Sequence, residues 1–326
     1  MREPLPSQRP LAYLAYQGAT FGTSCGRGSS GAERSALAPK PLVSVTVPTL
    51  NSESVIAGCL ASVKEQSYPN IETIIVDSLS TDRTREIAAS NGVKVITYEG
   101  RLLGARYQGV LQSKGQYVLL LDSDQILEAT AIERAIPLMA EYDLLVLEEL
   151  SCEPESWLQK LFAADKQLVH RNVDDRALDP LAATLLPRLF RRDILLRGLE
   201  NIPRELIPLV VYPDHDIIYF ETRRITSRVG ILPTAVYHLE PASVAAAWKK
   251  HFRYGRSLRE LDESRRYKEL AQRNWGFRKS GFRPGNLRLG LQSLFLLTLV
   301  GIARTAGYWL GGRLAPLPGS PQKPVS

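Results

Sequence analysis

Apolar residues in the first half of the chain form short runs that alternate between strand spacing and helix spacing. Residues 43–47 are a β-branched run ended by Pro48, which is typical of a buried strand. The same alternation predicts further strands at 71–76, 93–97 and 116–121, and helices at 55–63, 82–90 and 104–113. Strands and helices in this order form βαβ units with right-handed crossovers. The predicted fold class is therefore α/β, with helices on both faces of a mostly parallel sheet.

Polar residues stand where three of these strands end. Thr49 and Asn51 follow the first strand, Asp77 ends the second, and Asp122 follows the fourth. In open sheets of this kind, ligands bind beyond the carboxyl ends of the strands. We therefore expect these residues to share one rim of the sheet and to line a nucleotide site.

The pattern weakens beyond residue 128. It predicts helices at 129–140, 157–170, 214–222 and 243–259, and strands at 144–147 and 231–238. Residues 174–208 have little periodicity, and we interpret them as an acceptor loop that closes over the site.

A final apolar segment covers residues 287–310. Its apolar core, 289–303, is short of the roughly 20 residues that a membrane span needs. Tyr308 and Trp309 belong to residue types that favour membrane interfaces. The segment is predicted to be an interfacial or re-entrant helix, and a buried core helix is the alternative.

The composition, 44% hydrophobic and 23% charged in 326 residues, is that of an ordinary globular protein. The net charge of +7 is unevenly spread, because residues 249–288 contain thirteen Lys and Arg against four Asp and Glu. Such a segment attracts anionic phospholipids or a phosphorylated acceptor, unless it is simply a solvated helix face. No nucleic-acid motif accompanies it, so nucleic acid is not an expected partner.

The cysteines and the two ends of the chain bear on its location. Cys25, Cys59 and Cys152 lack the spacing of a disulfide framework or a zinc site, which favours a reducing compartment. We expect no secretory signal. Residues 1–40 and 313–326 are predicted to be disordered tails.

Asp122, Ser123 and Asp124 carry the candidate chemistry. Two carboxylates one residue apart in a loop can both reach a hard cation such as Mg²⁺ or Mn²⁺. That cation can bridge the phosphates of a nucleotide diphosphate and stabilise its departure. The alternative is a helix N-cap before Ala129. The position at the end of the fourth predicted strand favours the metal site.

Four segments in order resemble the signatures of family 2 glycosyltransferases. They are 45–51 (VTVPTLN), 75–84 (IVDSLSTDRT), 104–109 (GARYQG) and 115–124 (GQYVLLLDSD). The resemblance is clear over 42–128 and patchy to about residue 255. It implies a GT-A fold, which is a Rossmann-like, mostly parallel sheet flanked by helices. We accordingly predict a catalytic domain at 41–240 and a basic, helical, membrane-associating extension at 241–312.

The resemblance also implies roles for individual residues. Contacts with a nucleotide-sugar are expected from Pro48, Thr49, Asn51, Glu53, Asp77, Ser80, Arg101, Gly104, Arg106, Asp122 and Ser123. Arg101 and Arg106 would lie near the diphosphate, with a helix-surface arginine as the alternative, chiefly for Arg101. Asp122 would face the ribose and the metal, and Asp124 would be the main metal ligand. His238 matches a histidine that some relatives place near the metal or diphosphate, and a structural histidine is the alternative.

Residues 213–217 resemble the Glu-Asp-x-Asp-Leu motif of the family, with Pro213 in place of Glu. Asp214 then falls on the general base, which removes the proton of the acceptor hydroxyl. Asp216 is an alternative base, and a helix-capping role is an alternative for Asp214. His215 is expected to point away from the cleft.

These expectations describe an inverting, metal-dependent glycosyltransferase. It would move a sugar from a nucleotide diphosphate-sugar to a lipid-linked or cell-envelope glycan acceptor, as a peripheral protein at the cytoplasmic, inner face of the cell membrane.

Two alternatives stay open. A nucleotidyltransferase usually has a glycine-rich phosphate loop after the first strand, which residues 48–51 lack. A non-catalytic nucleotide-binding or scaffold homologue is favoured by Pro213 and opposed by the retained Asp124, Asp214 and Arg106.

Overall fold

Eight strands form one mixed sheet in the computed structural model, which describes residues 40–171, 178–181, 185–271 and 283–311. The strands are β1 (Val43–Thr49), β2 (Ile71–Asp77), β3 (Lys94–Thr97), β4 (Tyr117–Leu120), β5 (Gln125–Leu127), β6 (Leu144–Ser151), β7 (Pro187–Arg191) and β8 (Val229–His238). Their order across the sheet is β3-β2-β1-β4-β7-β6-β8-β5. The predicted tails lie outside the described residues, except for residue 40.

Ten helices accompany the sheet in the described ranges. They are α1 (Ile56–Lys64), α2 (Thr84–Ser90), α3 (Leu102–Gln112), α4 (Ala131–Leu138), α5 (Trp157–Arg171), α6 (Arg192–Glu200), α7 (Asp214–Arg223), α8 (Val244–Glu263), α9 (Lys268–Ala271) and α10 (Leu287–Leu310). The helices predicted from periodicity are all present, and their ends differ by a few residues from the predicted ones.

The first half of the sheet is parallel, as the alternation of strands and helices predicts. Strand β1 lies between β2 and β4 and runs parallel to both, and β3 runs parallel to β2. Thr49 pairs in register with Asp77, so two of the predicted polar strand ends lie side by side. This confirms the expected common rim for these strands.

The second half of the sheet departs from the predicted pattern. Strand β7 is antiparallel to both β4 and β6, and β5 is antiparallel to β8. Neither β5 nor β7 is predicted from the sequence. The interpretation of 174–208 as a loop is wrong where β7 and α6 lie, because charged residues within them hide the apolar pattern. Residues 172–177 and 182–184 of that stretch lie outside the described residues.

Two apolar cores cover the two faces of the sheet. Alternate residues at the end of β4 and just after it divide between them: Leu119 and Leu121 pack in one core, and Val118 and Leu120 pack in the other. The first core includes residues of α1, α2 and α4, and the second includes residues of α3, α6 and α7. Burial on both sides explains why these strands are apolar almost throughout.

The C-terminal helices pack closely against each other. A Cβ at Gly255 of α8 would lie 1.9 Å from the carbonyl oxygen of Arg304, and a Cβ at Gly307 of α10 would lie 2.0 Å from that of Phe252. The two backbones therefore meet at these glycines. Helix α10 also contacts α5.

The other side of α10 is apolar and exposed. Its exposed large apolar residues are Leu287, Leu291, Leu294, Phe295, Ile302, Trp309 and Leu310. In the part of the chain that the structure describes, α10 is the one helix long and apolar enough to cross a membrane, and 28% of its most apolar window is buried. Helix α10 is therefore mostly exposed, and the alternative interpretation of residues 287–310 as a buried core helix is wrong.

The described residues from Pro41 onward form one compact unit. The division between a catalytic domain and an extension at residue 240 stays a prediction.

Candidate functional site

The loops after β1 and β2 are joined at the rim of the sheet. Asp77 is fully buried, and its carboxylate accepts hydrogen bonds from the Thr49 hydroxyl at 2.9 Å and the Ser80 hydroxyl at 2.5 Å. The Asn51 amide N–H donates to the Ser80 oxygen at 2.8 Å. The site therefore has a wall whose shape depends on four of the predicted nucleotide-binding residues.

Asn51 and Glu53 extend this wall. Asn51 adopts a positive φ of 52°, and its side-chain oxygen accepts from the Thr81 amide N–H at 2.9 Å. Glu53 accepts from the Arg83 amide N–H at 2.9 Å. Pro48 is buried within β1. The roles of these residues in binding a nucleoside stay predictions.

Ser123 connects the wall to the candidate metal loop. Its hydroxyl lies 3.0 Å from the hydroxyl of Ser52, which follows Asn51 in the β1 loop. The loop after β4 is thereby placed against the loops that form the wall.

Arg106 joins two carboxylates from distant parts of the chain. The Arg106 side chain leaves α3, is almost fully buried, and donates from Nη2 to Oδ1 of Asp122 at 2.5 Å. Its Nε donates to Oδ2 of Asp214 at 2.6 Å. Arg106 Nη1 is also buried and has no hydrogen-bond partner among the described residues. A buried arginine with a free donor is suited to an anionic ligand.

Arg188 of β7 holds Asp122 from the other side. Its Nη1 donates to Oδ2 of Asp122 at 3.0 Å, and its Nε donates to Glu149 of β6 at 2.6 Å. Arg188 and Glu149 are not among the site residues predicted from the sequence. In the sequence, Arg188 is a charged residue within a short apolar run. Its place on a buried strand was not predicted, because β7 was not predicted.

The pKa values of the two aspartates, Asp122 and Asp214, are shifted in opposite directions. Burial would raise the pKa of the Asp122 carboxyl, but Arg106 and Arg188 hold it well below its ordinary value. Burial raises the pKa of the Asp214 carboxyl, and Asp122 adds to this, while Arg106 opposes it. Two carboxylates with oppositely shifted pKa values suit different roles, one as a permanent anion and one as a proton acceptor.

His215 is placed differently from the expectation. Its Nε2 lies 3.2 Å from Nη1 of Arg188, so the ring belongs to the buried cluster and does not point away from it. Burial, together with Arg106 and Arg188, holds the pKa of His215 well below its ordinary value, so the ring is neutral. The N-cap of α7 is Pro213, and Asp214 is the first helical residue, which differs from the capping role considered above.

Asp124 lies beside His238 because of strand pairing that the sequence did not reveal. Gln125 of β5 pairs with His238 of β8, and the Leu239 amide N–H donates to the Asp124 carbonyl at 2.8 Å. Nε2 of His238 is then 3.4 Å from Oδ2 of Asp124, and its Nδ1 is 3.4 Å from Oε2 of Glu240. Glu240 is buried, and although burial opposes its charge, His238 and Lys166 lower its pKa to about 2.

The Asp124–His238 pair fits a divalent cation. Two neighbouring ligands of an octahedral metal with bonds of about 2.1 Å lie about 3.0 Å apart, close to the observed separation. A carboxylate on the far nitrogen of a ligating histidine, as Glu240 is here, orients the ring. No cluster of three or more His, Cys, Asp or Glu side chains suited to a metal occurs among the described residues. A cation here would take its other ligands from phosphate or water, as Mg²⁺ commonly does.

Both carboxylate oxygens of Asp122 are engaged by arginines, since Oδ1 accepts from Arg106 and Oδ2 accepts from Arg188. Oδ2 of Asp124 also faces a cation, the Nζ of Lys250 at 3.4 Å. The metal-ligand roles of Asp122, Asp124 and His238 therefore stay predictions.

Two other predicted contacts have packing explanations. Arg101 is buried rather than on a helix surface, and its guanidinium contacts Glu260 of α8 and donates to the Leu209 carbonyl at 2.6 Å. A Cβ at Gly104 would lie 2.0 Å from the Tyr98 hydroxyl, so glycine is needed there for the ring to pack. Both residues thus support the position of α3, and their predicted ligand contacts lack support from these distances.

Comparison with known proteins agrees with this architecture. Residues 44–167 match the family model described as Glycosyl transferase family 2. The glycosyltransferase GlyG of Streptococcus pneumoniae is 35% identical over 109 residues, which cover 31% of this chain and 36% of GlyG. The WfgD protein of Escherichia coli, named as a UDP-Glc:alpha-D-GlcNAc-diphosphoundecaprenol beta-1,3-glucosyltransferase, is 33% identical over 109 residues, or 32% of this chain and 43% of WfgD. The matches thus span less than half of either relative.

Two solved structures share the fold over most of the chain. Residues 1–349 of TarS from S. aureus, in complex with UDP-GlcNAc, give a TM-score of 0.52 at 21% identity, and the match covers 80% of this chain and 81% of that TarS fragment. The mannosyltransferase PcManGT of Pyrobaculum calidifontis, in complex with GDP-Man and Mn²⁺, gives a TM-score of 0.50 at 18% identity. This match covers 86% of this chain and 77% of the PcManGT chain. The predicted GT-A fold is confirmed, and the predicted resemblance to glycosyl transferase family 2 is confirmed over residues 44–167.

Proposed function

We propose that this protein is an inverting glycosyltransferase that uses a nucleotide diphosphate-sugar. The observation that carries the proposal is the Asp122–Arg106–Asp214 contact, which places a permanent anion, a buried cation and a candidate base in one cluster. The family assignment supports the reaction class. The UDP-GlcNAc complex of TarS and the GDP-Man complex of PcManGT support the donor class.

The donor would lie along the rim formed by the loops after β1, β2 and β4. In this proposal Pro48, Thr49, Asn51, Glu53, Asp77 and Ser80 form the nucleoside side of the site. Ser123 and Asp122 lie at the ribose side. Arg106 Nη1, which is buried and without a partner among the described residues, would contact the diphosphate. A fixed guanidinium in a buried site stabilises the charge that develops on the departing diphosphate.

Asp214 would act as the general base. It takes the proton of the acceptor hydroxyl while that oxygen forms a bond to the anomeric carbon. The bond between this carbon and the phosphate oxygen breaks at the same time, and the electron pair leaves with the nucleotide diphosphate. Attack from the face opposite the leaving group inverts the anomeric configuration. The raised pKa of Asp214 suits this role, because a base works best when its pKa is near the working pH.

A divalent cation would be held by Asp124 and His238. When bound, Mg²⁺ or Mn²⁺ neutralises the diphosphate and so assists its departure. In this proposal the Glu240 carboxylate, 3.4 Å from Nδ1, would orient the His238 ring.

The acceptor is proposed to be lipid-linked or a cell-envelope glycan, with the protein bound to the inner face of the cell membrane. The exposed apolar side of α10 supports this, together with exposed cations in the same extension. These cations are Lys249, Arg253, Arg265, Arg266, Lys268, Arg283 and Arg288. Apolar area beside basic residues is the pattern of a helix that lies in an anionic interface. The name of WfgD specifies a diphosphoundecaprenol acceptor, which is consistent with this class.

Thermal unfolding with Mn²⁺ and a panel of nucleotide diphosphates tests the donor site. A ligand at about 100 times its dissociation constant stabilises a protein by about 2.7 kcal/mol. We expect a metal-dependent shift with one nucleotide, its loss in Asp124→Ala, and its retention in Asp193→Ala, whose exposed carboxylate lies on α6. No shift with any nucleotide, in a folded protein, would favour the non-catalytic homologue.

The products distinguish the two enzymatic alternatives. A glycosyltransferase releases a nucleoside diphosphate from the donor, whereas a nucleotidyltransferase releases pyrophosphate from a nucleoside triphosphate. Release of pyrophosphate would contradict the proposal even if nucleotide binding is found.

A further inference from the structure

Lys250 occupies an unexpected position in the donor site. It lies on α8, in the helical extension, and its Nζ is 3.4 Å from Oδ2 of Asp124. His238 Nε2 is 3.4 Å from the same oxygen. The oxygen that would bind a divalent cation is therefore already in contact with an ammonium group.

The two side chains are largely sheltered from solvent. The Lys250 side chain is 28% exposed and that of Asp124 is 30% exposed. The ordinary pKa of lysine is about 10.4, so the Lys250 ammonium, in contact with a carboxylate, is a cation at neutral pH.

A metal ion and this ammonium cannot share the oxygen without strong repulsion. Like charges at such short range repel, and the repulsion grows as water is excluded. A lysine has a flexible four-carbon stem, so its ammonium can leave the carboxylate without movement of the helix backbone. The released ammonium can then contact phosphate, for which lysine serves as a point charge.

We propose that Lys250 is a built-in competitor for the divalent cation at Asp124, so that either the metal or the lysine contacts Oδ2. This inference rests on the metal site of the proposed function and adds a means of regulating it. With the metal absent, Lys250 neutralises Asp124 and ties α8 to the loop after β4. With the metal present, this tie is broken.

Helix α8 connects this exchange to other parts of the site. The Tyr254 ring stacks on Tyr212 with centroids 4.4 Å apart, and the Ser257 hydroxyl accepts from the Tyr212 amide N–H at 3.0 Å. Tyr212 lies two residues before Asp214. At Gly255 the same helix meets α10. The cation that contacts Asp124 is thereby linked through α8 to the segment that contains Asp214 and to α10.

Direct titration of the full chain with Mn²⁺ alone, followed by electron paramagnetic resonance, tests the competition. Lys250→Met removes the competing charge, so its Mn²⁺ dissociation constant should be roughly fivefold lower than that of the wild type, as a partly exposed ion pair suggests. Lys250→Arg keeps the charge and should bind Mn²⁺ like the wild type. Lys249→Met removes an exposed neighbouring charge and should change the constant by less than about twofold.

The outcomes separate this inference from the proposed metal site. Equal or weaker Mn²⁺ binding by Lys250→Met, with binding lost in Asp124→Ala, overturns the competition and leaves the metal site intact. Binding by Asp124→Ala equal to the wild type, or no binding by the wild type, overturns both. Lys250→Gln is a second variant in case Lys250→Met is poorly folded, and a thermal unfolding curve verifies each protein.

Discussion

Arg106 Nε donates to Asp214 Oδ2 at 2.6 Å across a sequence separation of 108 residues. The arginine leaves α3 in the parallel half of the sheet, and the aspartate begins α7 in the half that the sequence describes poorly. Because the same guanidinium binds Asp122, removal of any one member changes the charge balance of the other two. The cluster therefore makes predictions about both rate and stability.

Asp214→Asn should lower the rate of sugar transfer by at least about a hundredfold, the range typical for loss of a general base. Nucleotide binding, followed by thermal shift, should be retained, because Arg106 is still held by Asp122 and its positive charge is less neutralised. Asp216→Asn is the matched comparison, since Asp216 is also buried in the first turn of α7. If Asp216→Asn has the larger effect on the rate, Asp216 is the base.

On the acid side, kcat/KM should fall with an apparent pKa above the ordinary pKa of aspartate, which is about 3.9. A base acts only when deprotonated, so activity falls as the pH falls through the raised pKa of Asp214. His215 does not account for such a fall near neutrality, because its pKa is lowered. An activity profile that is flat down to about pH 4 would contradict this assignment.

Arg188→Met should destabilise the protein by about 3 kcal/mol near neutral pH, because it leaves two sheltered carboxylates with one cation fewer. The folded-state pKa values of Asp122 and Glu149 are lowered, against the effect of burial, partly by this arginine. Their contribution to stability is present above the unfolded-state values and is lost as the pH falls through the folded ones. The difference between wild type and variant in urea unfolding should therefore shrink below about pH 4.

The matched control for this variant is Arg197→Met. Arg197 is exposed on α6, so its replacement should change the free energy of unfolding by less than about 0.5 kcal/mol. Equal destabilisation by both variants would contradict the prediction that Arg188 stabilises the fold by pairing with Asp122 and Glu149.

Gly255→Ala and Gly307→Ala should each destabilise the protein by about 1–3 kcal/mol, because the added Cβ meets a backbone carbonyl that cannot move freely. Gly301→Ala is the control on α10, since a Cβ there meets nothing within 4 Å. Alanine is the better helix former, so Gly301→Ala should be neutral or stabilising by up to about 1 kcal/mol. Thermal unfolding of the three variants measures the contrast.

Replacing Phe295 and Ile302 together with serine should weaken binding to anionic liposomes by at least about tenfold, because both side chains lie on the exposed side of α10. Leu111→Ser is the control, because Leu111 is an exposed apolar residue on α3. Added salt should weaken binding of the wild type through the basic residues. A wild-type protein that does not sediment with anionic liposomes would overturn the proposed membrane contact.

The sequence predicts the parallel half of the fold well because its signals are local. Each strand there is a continuous apolar run, and each ends at a polar residue, as in the pair Thr49 and Asp77. Strand β7 carries Arg188 and Arg191 within five residues, so its pattern resembles a loop. Its burial depends on partners far away in the chain, which a local pattern does not contain.

The candidate site shows the same difference between local sequence signals and contacts from distant parts of the chain. The residue types at Asp122, Asp124, Asp214 and His238 are visible in the sequence, and the family resemblance gives them roles. The partners of these residues cannot be identified from the sequence. Glu149, Glu240 and Lys250 have the pattern of ordinary surface charges, and only strand pairing and helix packing bring them to the site. The proposal that Asp124 and His238 hold the metal depends on those partners.

Strand pairing also sets a limit on how the protein can be shortened. The family match ends at residue 167, but β7 pairs with β4, and β8 pairs with β5. A fragment cut at 167 would lose Arg188, Asp214 and His238, and it would expose the backbone of β4 as an unprotected edge prone to association with other chains. The smallest autonomous donor-binding unit must therefore continue through β8, well past the boundary that sequence comparison alone suggests.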